Sequence, residues 1–309
     1  MVDPETFLTE LYVEAADFCK AQPPSPATPG PAPSLSVAEV LTLDIFAQWQ
    51  QFPSEAAFYR YAQAHLRPLF PTLPCRPQFN RLVRDNRAPL TAFALHLGQD
   101  LATGDERAFE ALDGTGVVTR NAQRRGGGWL AGLADIGWCT RLGWYEGVRL
   151  VLSVTPSGVV TGWGLGPAST NDRVLAETFF AARASPQPGL PSVGEPTSDC
   201  YVADMGFAGR DCEARWADAY RAVVICPPQS DSARAWPKAL RRWLAGIRQV
   251  IETVTNHLLS TFGLAHERPH ALDGLLARMA ARVGLHNFCC WCNHDHDCGL
   301  LQTADLLEW

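Results

Sequence analysis

Lysine is almost missing from this chain of 309 residues. Only Lys20 and Lys238 occur, so nearly all of the positive charge is guanidinium. A planar guanidinium suits bidentate phosphate contacts. An arginine bias also follows from a GC-rich coding genome, and that is the simpler source of the bias itself. Long apolar runs are missing too. No 18 consecutive apolar residues occur, so a transmembrane helix is not expected. Met1-Val2-Asp3-Pro4-Glu5 has neither the basic start nor the apolar centre of a signal peptide. Gly126-Gly127-Gly128 is followed by no Gly-Lys-Ser/Thr, and no G-x-G-x-x-G opens a helix, so a phosphate loop has no support. A G-x-S-x-G nucleophile elbow is also lacking.

These absences leave a soluble, cytosolic globular protein with no membrane partner, long enough for one large domain and a smaller one. Of the ten cysteines, six are scattered singly from Cys19 to Cys226, which reads as reduced thiols, mostly in the core. Net charge is −6, which argues against a polyanionic partner, but its distribution counts for more. Arg60, Arg67, Arg76, Arg81, Arg84 and Arg87 face a single acid, Asp85, over residues 60–87. Arg234, Lys238, Arg241, Arg242 and Arg248 face none over 234–248.

Along the chain, Phe7, Leu8, Leu11, Tyr12 and Ala15 mark an N-terminal helix (1–20), set apart by a proline-rich linker (21–35). That separation suggests a helix that docks elsewhere, such as on a second subunit. A helical unit follows (36–105). Ser36 and Glu39 form a capping box opening a helix to about Gln51. Glu55–Leu66 is a second helix, and the two make either a helix-turn-helix or an ordinary helical hairpin. In the third, Pro77–Asn86, Arg81, Arg84 and Arg87 lie away from Phe79, Leu82 and Val83. They are a solvated face or a DNA-backbone contact. Pro89 interrupts, and Leu90–Leu101 closes the unit.

Then the period changes. Phe109–Val118 reads as a strand carrying Asp113, and a loop with Arg124, Arg125 and the three glycines follows. Val148, Leu150, Leu152 and Val154 alternate, Pro156-Ser157-Gly158 turns, and Val159–Leu165 returns. Asp172 caps a helix over Arg173–Arg183. Cys200–Phe207 is a strand that meets an acid, Asp204. A helix (Arg210–Ala219), a short buried strand (Ala222–Cys226) and a helix from Ala235 to about Phe262 carrying Glu252 complete the pattern, with a last core helix over Leu272–Val283. Three antiparallel strands and then alternating helices and strands predict an α/β, RNase H-like mixed sheet flanked by helices (106–288), preceded by the helical N-terminal domain.

In such an order the strands of Asp113 and Asp204 are neighbours, and the helix of Glu252 packs across them. Three carboxylates at a solvent-facing sheet edge suit Mg²⁺ or Mn²⁺. Two such ions roughly 3.5–4 Å apart activate a nucleophile and stabilise the leaving oxygen of a phosphodiester. Each acid has a plainer reading. Asp113-Gly114 is a common hairpin turn, Asp204 a strand-end turn acid, and Glu252 an exposed helix residue.

Leu112-Asp113-Gly114-Thr115, Val202-Ala203-Asp204-Met205-Gly206-Phe207 and Arg248-Gln249-Val250-Ile251-Glu252-Thr253-Val254 resemble the three acidic motifs of bacterial insertion-sequence DDE transposases. The resemblance is nearest to insertion-sequence family 982, within the group that includes families 4 and 5. Phe70-Pro71-Thr72-Leu73-Pro74 and Phe79-Asn80-Arg81 resemble that family's N-terminal region, and the likeness spans residues 36–288. It implies cleavage at element ends, strand transfer of a 3′-hydroxyl into target DNA, double-stranded DNA as partner, a homodimer in the synaptic complex and a bacterial, nucleoid-associated location. The family 4 pattern Tyr-x2-Arg-x3-Glu-x6-Lys is kept only at Arg248 and Glu252, because Ala245 and Leu259 hold the other two places. Arg248, Glu252 and Asn256 share one helix face, so Arg248 and Asn256, with Arg124, Arg125, Arg241 and Arg242 upstream, join the candidate DNA contacts. The alternatives are a non-catalytic DNA-binding derivative and another RNase H-like nuclease.

Two further motifs compete for attention. His266-Glu267-Arg268-Pro269-His270 matches H-E-x-x-H, yet Pro269 opposes the helix that motif needs. In the tail (289–309), Cys289 and Cys292 have zinc-ligand spacing, with His294, His296 and Cys298 near, but no second knuckle follows. Free thiols in a surface tail are the alternative.

Overall fold

The computed structural model describes residues 2–23, 32–49, 52–119, 130, 132–187, 192–228, 236–266, 268–296, 298–303 and 306–307. Arg120, Arg124, Arg125, Trp129, Arg234, Glu267 and the triple glycine lie outside the described residues.

Helix α1 (Pro4–Ala21) starts where Asp3 accepts from the backbone of Glu5 and Thr6, with Pro4 at the first position. Its apolar stripe does not await another subunit, as the linker suggested. Phe7 meets Trp49 edge-on at 5.7 Å and Phe288 at 4.9 Å, both within this chain. A bridge between Val2 and Leu307 ties the two ends of the chain together. Helix α2 (Val37–Phe46) has both bonds of the Ser36–Glu39 capping box. It ends five residues earlier than expected and is buried on nearly all sides.

Helices α3 (Glu55–Tyr61) and α4 (Arg76–Asp85) follow. Helix α5 (Arg87–Leu101) contains Pro89 instead of being interrupted by it. At the third position the missing N–H has no intrahelical partner to lose.

The sheet is built on strand β3 (Gly143–Val154). One edge of β3 pairs antiparallel with β1 (Glu110–Val118). The other edge pairs first with β2 (Asp135–Cys139) and then with β4 (Val160–Pro167), both antiparallel. Strand β5 (Cys200–Ala203) runs parallel to β1, and β6 (Val223–Ile225) parallel to β5. Sequence reading missed β2 entirely. It also expected a buried last strand, whereas β6 is an edge strand with Val223 and Ile225 exposed. Helices α6 (Asp172–Ala184) and α7 (Arg210–Tyr220) join these strands. Leu112, Val151, Phe179, Phe180 and Trp216 make the core on one face of the sheet. The result is a mixed α/β sheet flanked by helices, with a helical N-terminal region.

On the other face, Val117, Leu150, Leu152 and Val154 share one apolar cluster with α1, α2, α5, helix α8 (Lys238–Asn256) and helix α9 (Leu272–Asp295). Helix α9 is twice as long as the sequence reading made it, and it corrects the reading of the tail. Cys289, Cys290 and Cys292 are wholly buried in it. Asn287 of α9 takes over backbone pairing at the start of β4: it accepts from Val160 N at 2.9 Å and donates to Val160 O and Ala94 O. Gly98 of α5 lets that backbone approach, since a Cβ there would lie 2.4 Å from Val160 O. Among the described residues no helix is long and apolar enough to cross a membrane.

Candidate active site

Strand β5 pairs with β1 over only three residues, the last being Leu112 with Ala203. Asp113 is the first residue of β1 beyond that pairing, and Asp204 the first residue after β5. The sheet therefore opens between the two acids. Asp113-Gly114 sits inside a continuous strand, which rules out the hairpin-turn reading. Asp204 accepts from Gly206 N at 2.7 Å and caps a short 3₁₀ turn, Met205–Phe207.

Asp113 lies on the face of β1 covered by α8. Burial, and next the negative charge of Asp204, push its carboxyl up from 3.8 to about 7. A hydrogen bond from Gly114 N and the Arg248 guanidinium oppose the shift without cancelling it. Two carboxylates in a partly dehydrated site resist being ionised together. On α8, Arg248, Glu252 and Asn256 line the same cleft, as their spacing predicted. Glu252 is 61% exposed and stands 3.5 Å from Arg248.

A fourth acid was misread. Asn171, not Asp172, caps α6 by accepting from Arg173 N. Asp172 turns into the cleft and takes a two-pronged hydrogen bond from Arg149, at 2.5 and 2.8 Å. Burial raises its carboxyl, and Arg149 only partly reverses this. Asn171 and Asp172 are both good caps, so sequence could not separate them. Arg149, in turn, follows the polar beat of an alternating strand.

The Asp172 carboxylate explains two glycines. A Cβ on Gly114 would lie 2.5 Å from Asp172 Oδ1. One on Gly206 would lie 2.9 Å from Asp172 Oδ2 and 3.0 Å from Asp204 Oδ1. The glycines make room for an acid; neither has the left-handed φ of a turn glycine.

The cleft holds about 970 Å³. Its far wall is the β2–β3 hairpin, with Trp138, Arg141 and Trp144. These residues were not singled out from sequence, although Ile136/Trp138 and Trp144/Glu146 alternate around Gly143. Among the described residues, the other expected contacts are not in this cleft. Arg81, Arg241 and Arg242 are exposed elsewhere, and Arg84 lines a separate cavity among the helices. Arg87 is ion-paired to Asp273.

Asp113, Asp204 and Glu252 offer only oxygen donors, the set that Mg²⁺ or Mn²⁺ favours. The mutual repulsion of Asp113 and Asp204 is of the kind a divalent cation relieves, so this pair fits such an ion. Among the described residues, however, no three His, Cys, Asp or Glu side chains converge closely enough to hold a metal. Zinc fares no better at the chain's end. Burial pushes the thiols of Cys289 and Cys292 up, against the thiolate that zinc requires, while His294 and Cys298 are exposed. His266 ends a 3₁₀ turn and His270 lies outside any helix, so the two histidines of H-E-x-x-H do not share a helix. Comparison with protein-family models, curated proteins and solved structures gave no match to this chain.

Proposed function

We propose that this chain is a DDE transposase with an RNase H-like catalytic region, cutting double-stranded DNA at element ends and transferring the 3′-hydroxyl into target DNA. The observation that carries the reading is the juxtaposition of Asp113 and Asp204 where β1 and β5 part, facing Glu252 and Arg248 across one cleft. The strand order supports it: β4, β3 and β1 run antiparallel, and β5 and β6 then run parallel to β1.

Asp113 and Asp204 would hold Mg²⁺ or Mn²⁺, two ions in all, with Glu252 as the third ligand. When bound, the ions supply the charge that activates the attacking oxygen and stabilises the leaving one. The chain's own groups do the rest. Burial and the neighbouring Asp204 charge hold the Asp113 carboxyl up, and a bound cation would favour its ionised form. Arg248 and Asn256 grip the scissile strand's phosphate from α8. The Asp172–Arg149 pair holds the Gly114 and Gly206 backbones, and with them both acids, in place. The synaptic form would be a homodimer on DNA, near the bacterial nucleoid.

One observation favours a second reading, a non-catalytic DNA-binding derivative: Glu252 is exposed and paired with Arg248, and no triad is assembled among the described residues. The deciding assay incubates the protein and Mg²⁺ with linear DNA carrying the sequences that flank its gene, plus a target plasmid. Strand-transfer products that vanish in Asp113→Ala support the transposase. Nicks alone point to another nuclease. Identical behaviour of wild type and Asp113→Ala at every step overturns the catalytic reading.

A further inference from the structure

We propose that the β2–β3 hairpin is a stacking platform for one unpaired DNA base, with the indoles of Trp138 and Trp144 as its surface. The proposal rests on the DNA-processing reading above and adds to it the form of the substrate: DNA with a base out of its stack.

Trp144 is 77% exposed, Trp138 55% and Ile136 64%. The two tryptophans are directly opposed in the β2–β3 register, so both rings leave the same face. Asp113 pairs with Leu152, and Leu152 shares the parity of Trp144 along β3. The rings therefore lie on the Asp113 face of the sheet, and they line the same cleft as Asp113, Asp204 and Glu252.

The hairpin is firmly held. Gly137 packs so closely that a Cβ would lie 2.1 Å from Ala168 O. Asp135 accepts from Ser169 N at 2.9 Å and from its hydroxyl. Arg141 reaches back to Gly116 O at 2.5 Å. Large apolar rings held out by a rigid scaffold mark a binding surface.

Its chemistry selects the occupant. Two indoles are far smaller than the roughly 800 Å² per partner of a stable protein interface, but they match one or two bases. In a duplex, neighbouring pairs cover each base's faces, so only an unstacked base offers its π-face to a tryptophan. Arg141 and Arg248, both exposed in this cleft, supply positive charge for the backbone flanking that base.

The test is equilibrium binding of the full chain, without divalent metal, to three labelled duplexes read by anisotropy: fully paired, carrying one bulged base, and carrying one bulged abasic nucleotide. Wild type should prefer the base bulge over the abasic bulge by roughly five- to a hundredfold, the worth of one stacked base. Trp138→Ala/Trp144→Ala should erase that preference and leave paired-duplex affinity within about twofold. Trp138→Phe/Trp144→Phe should keep part of it. Because both side chains are exposed, the substitutions spare the core, which circular dichroism verifies. DNA binding with no preference for the base bulge overturns the platform and leaves the transposase reading standing. Failure of wild type to bind any of the three sinks both. A double variant that converts a dimer to a monomer, with DNA preference intact, assigns the surface to a second copy and overturns the proposal.

Discussion

Substituting Arg183 by Met should cost this protein about 3–5 kcal/mol, because it strands a buried charge. Arg183 and Glu110 side chains are 2% and 0% exposed. Arg183 donates to Glu110 Oε2 at 2.5 Å, to the Tyr201 hydroxyl at 2.9 Å and to the Ser153 hydroxyl at 2.9 Å. The other Glu110 oxygen accepts from Thr197 N at 2.7 Å and from its hydroxyl at 2.9 Å. The pair thus ties α6 to β1, β3 and β5 at one buried point. Gly162 leaves room for the guanidinium, since a Cβ there would lie 2.3 Å from Arg183 Nη2. Methionine fills much of the volume but leaves Glu110 with no cation. A typical domain has roughly 5–15 kcal/mol in total, so the variant should be close to unfolding at 37 °C. Urea denaturation followed by far-ultraviolet circular dichroism measures the loss as a lowered midpoint at unchanged slope. The control is Arg183→Met with Glu110→Gln, which keeps a partner for Thr197 and removes the stranded charge, so it should recover at least half the loss. A single variant within about 1 kcal/mol of wild type, or a double variant as unstable as the single, would refute the reasoning.

Asp113 should make stability fall with rising pH. Its carboxyl is ordinarily near 3.8 and stands near 7 in the fold, so between those values the folded chain keeps a proton the unfolded chain has lost. The penalty is absent below about pH 4 and complete above about pH 7, worth on the order of 2–4 kcal/mol. In EDTA, Asp113→Asn should therefore match wild type at pH 4 and exceed it at pH 8, and parallel urea curves at both pH values would contradict this. Gly114→Ala should cost about 1–3 kcal/mol by overpacking. Adding Asp172→Ala should relieve the clash, giving a coupling energy in a double-mutant cycle that additive losses would rule out.

What the sequence disclosed depended on whether the signal was local. The Ser36–Glu39 box and the acid after Cys200–Ala203 are local patterns, and both are where they were expected. The failures share a cause: a residue type with two uses. Cysteine serves as a metal ligand or as a small apolar residue. The run from Cys289 to Cys292 read as a tail, although α9 uses it as core. Pro89 breaks a helix anywhere but in its first turn, and only the start at Arg87 shows which applies. Asp172 and Arg149 are 23 residues apart, and no local pattern announces that they meet. Strand β2 escaped notice because its larger apolar side chains, Ile136 and Trp138, face the cleft and not the core.

Two kinds of acid stand three positions apart on β1, Glu110 and Asp113, and the contrast bears on function. Glu110 is buried with a cation and a full set of hydrogen bonds. Asp113 is enclosed beside a second acid, and no hydrogen-bonded cation among the described residues neutralises it; the nearby Arg149 is paired with Asp172. The half-exposed Arg248 opposes the repulsion only in part. A sheet selected for stability alone has no use for the Asp113–Asp204 pair, since Asn at either place removes the penalty. Retaining the pair, with a cleft open beside it, makes sense if a divalent cation supplies the missing charge. Added Mg²⁺ should therefore raise the stability of wild type at pH 8 and leave Asp113→Asn unchanged, and equal stabilisation of both would place the ion elsewhere.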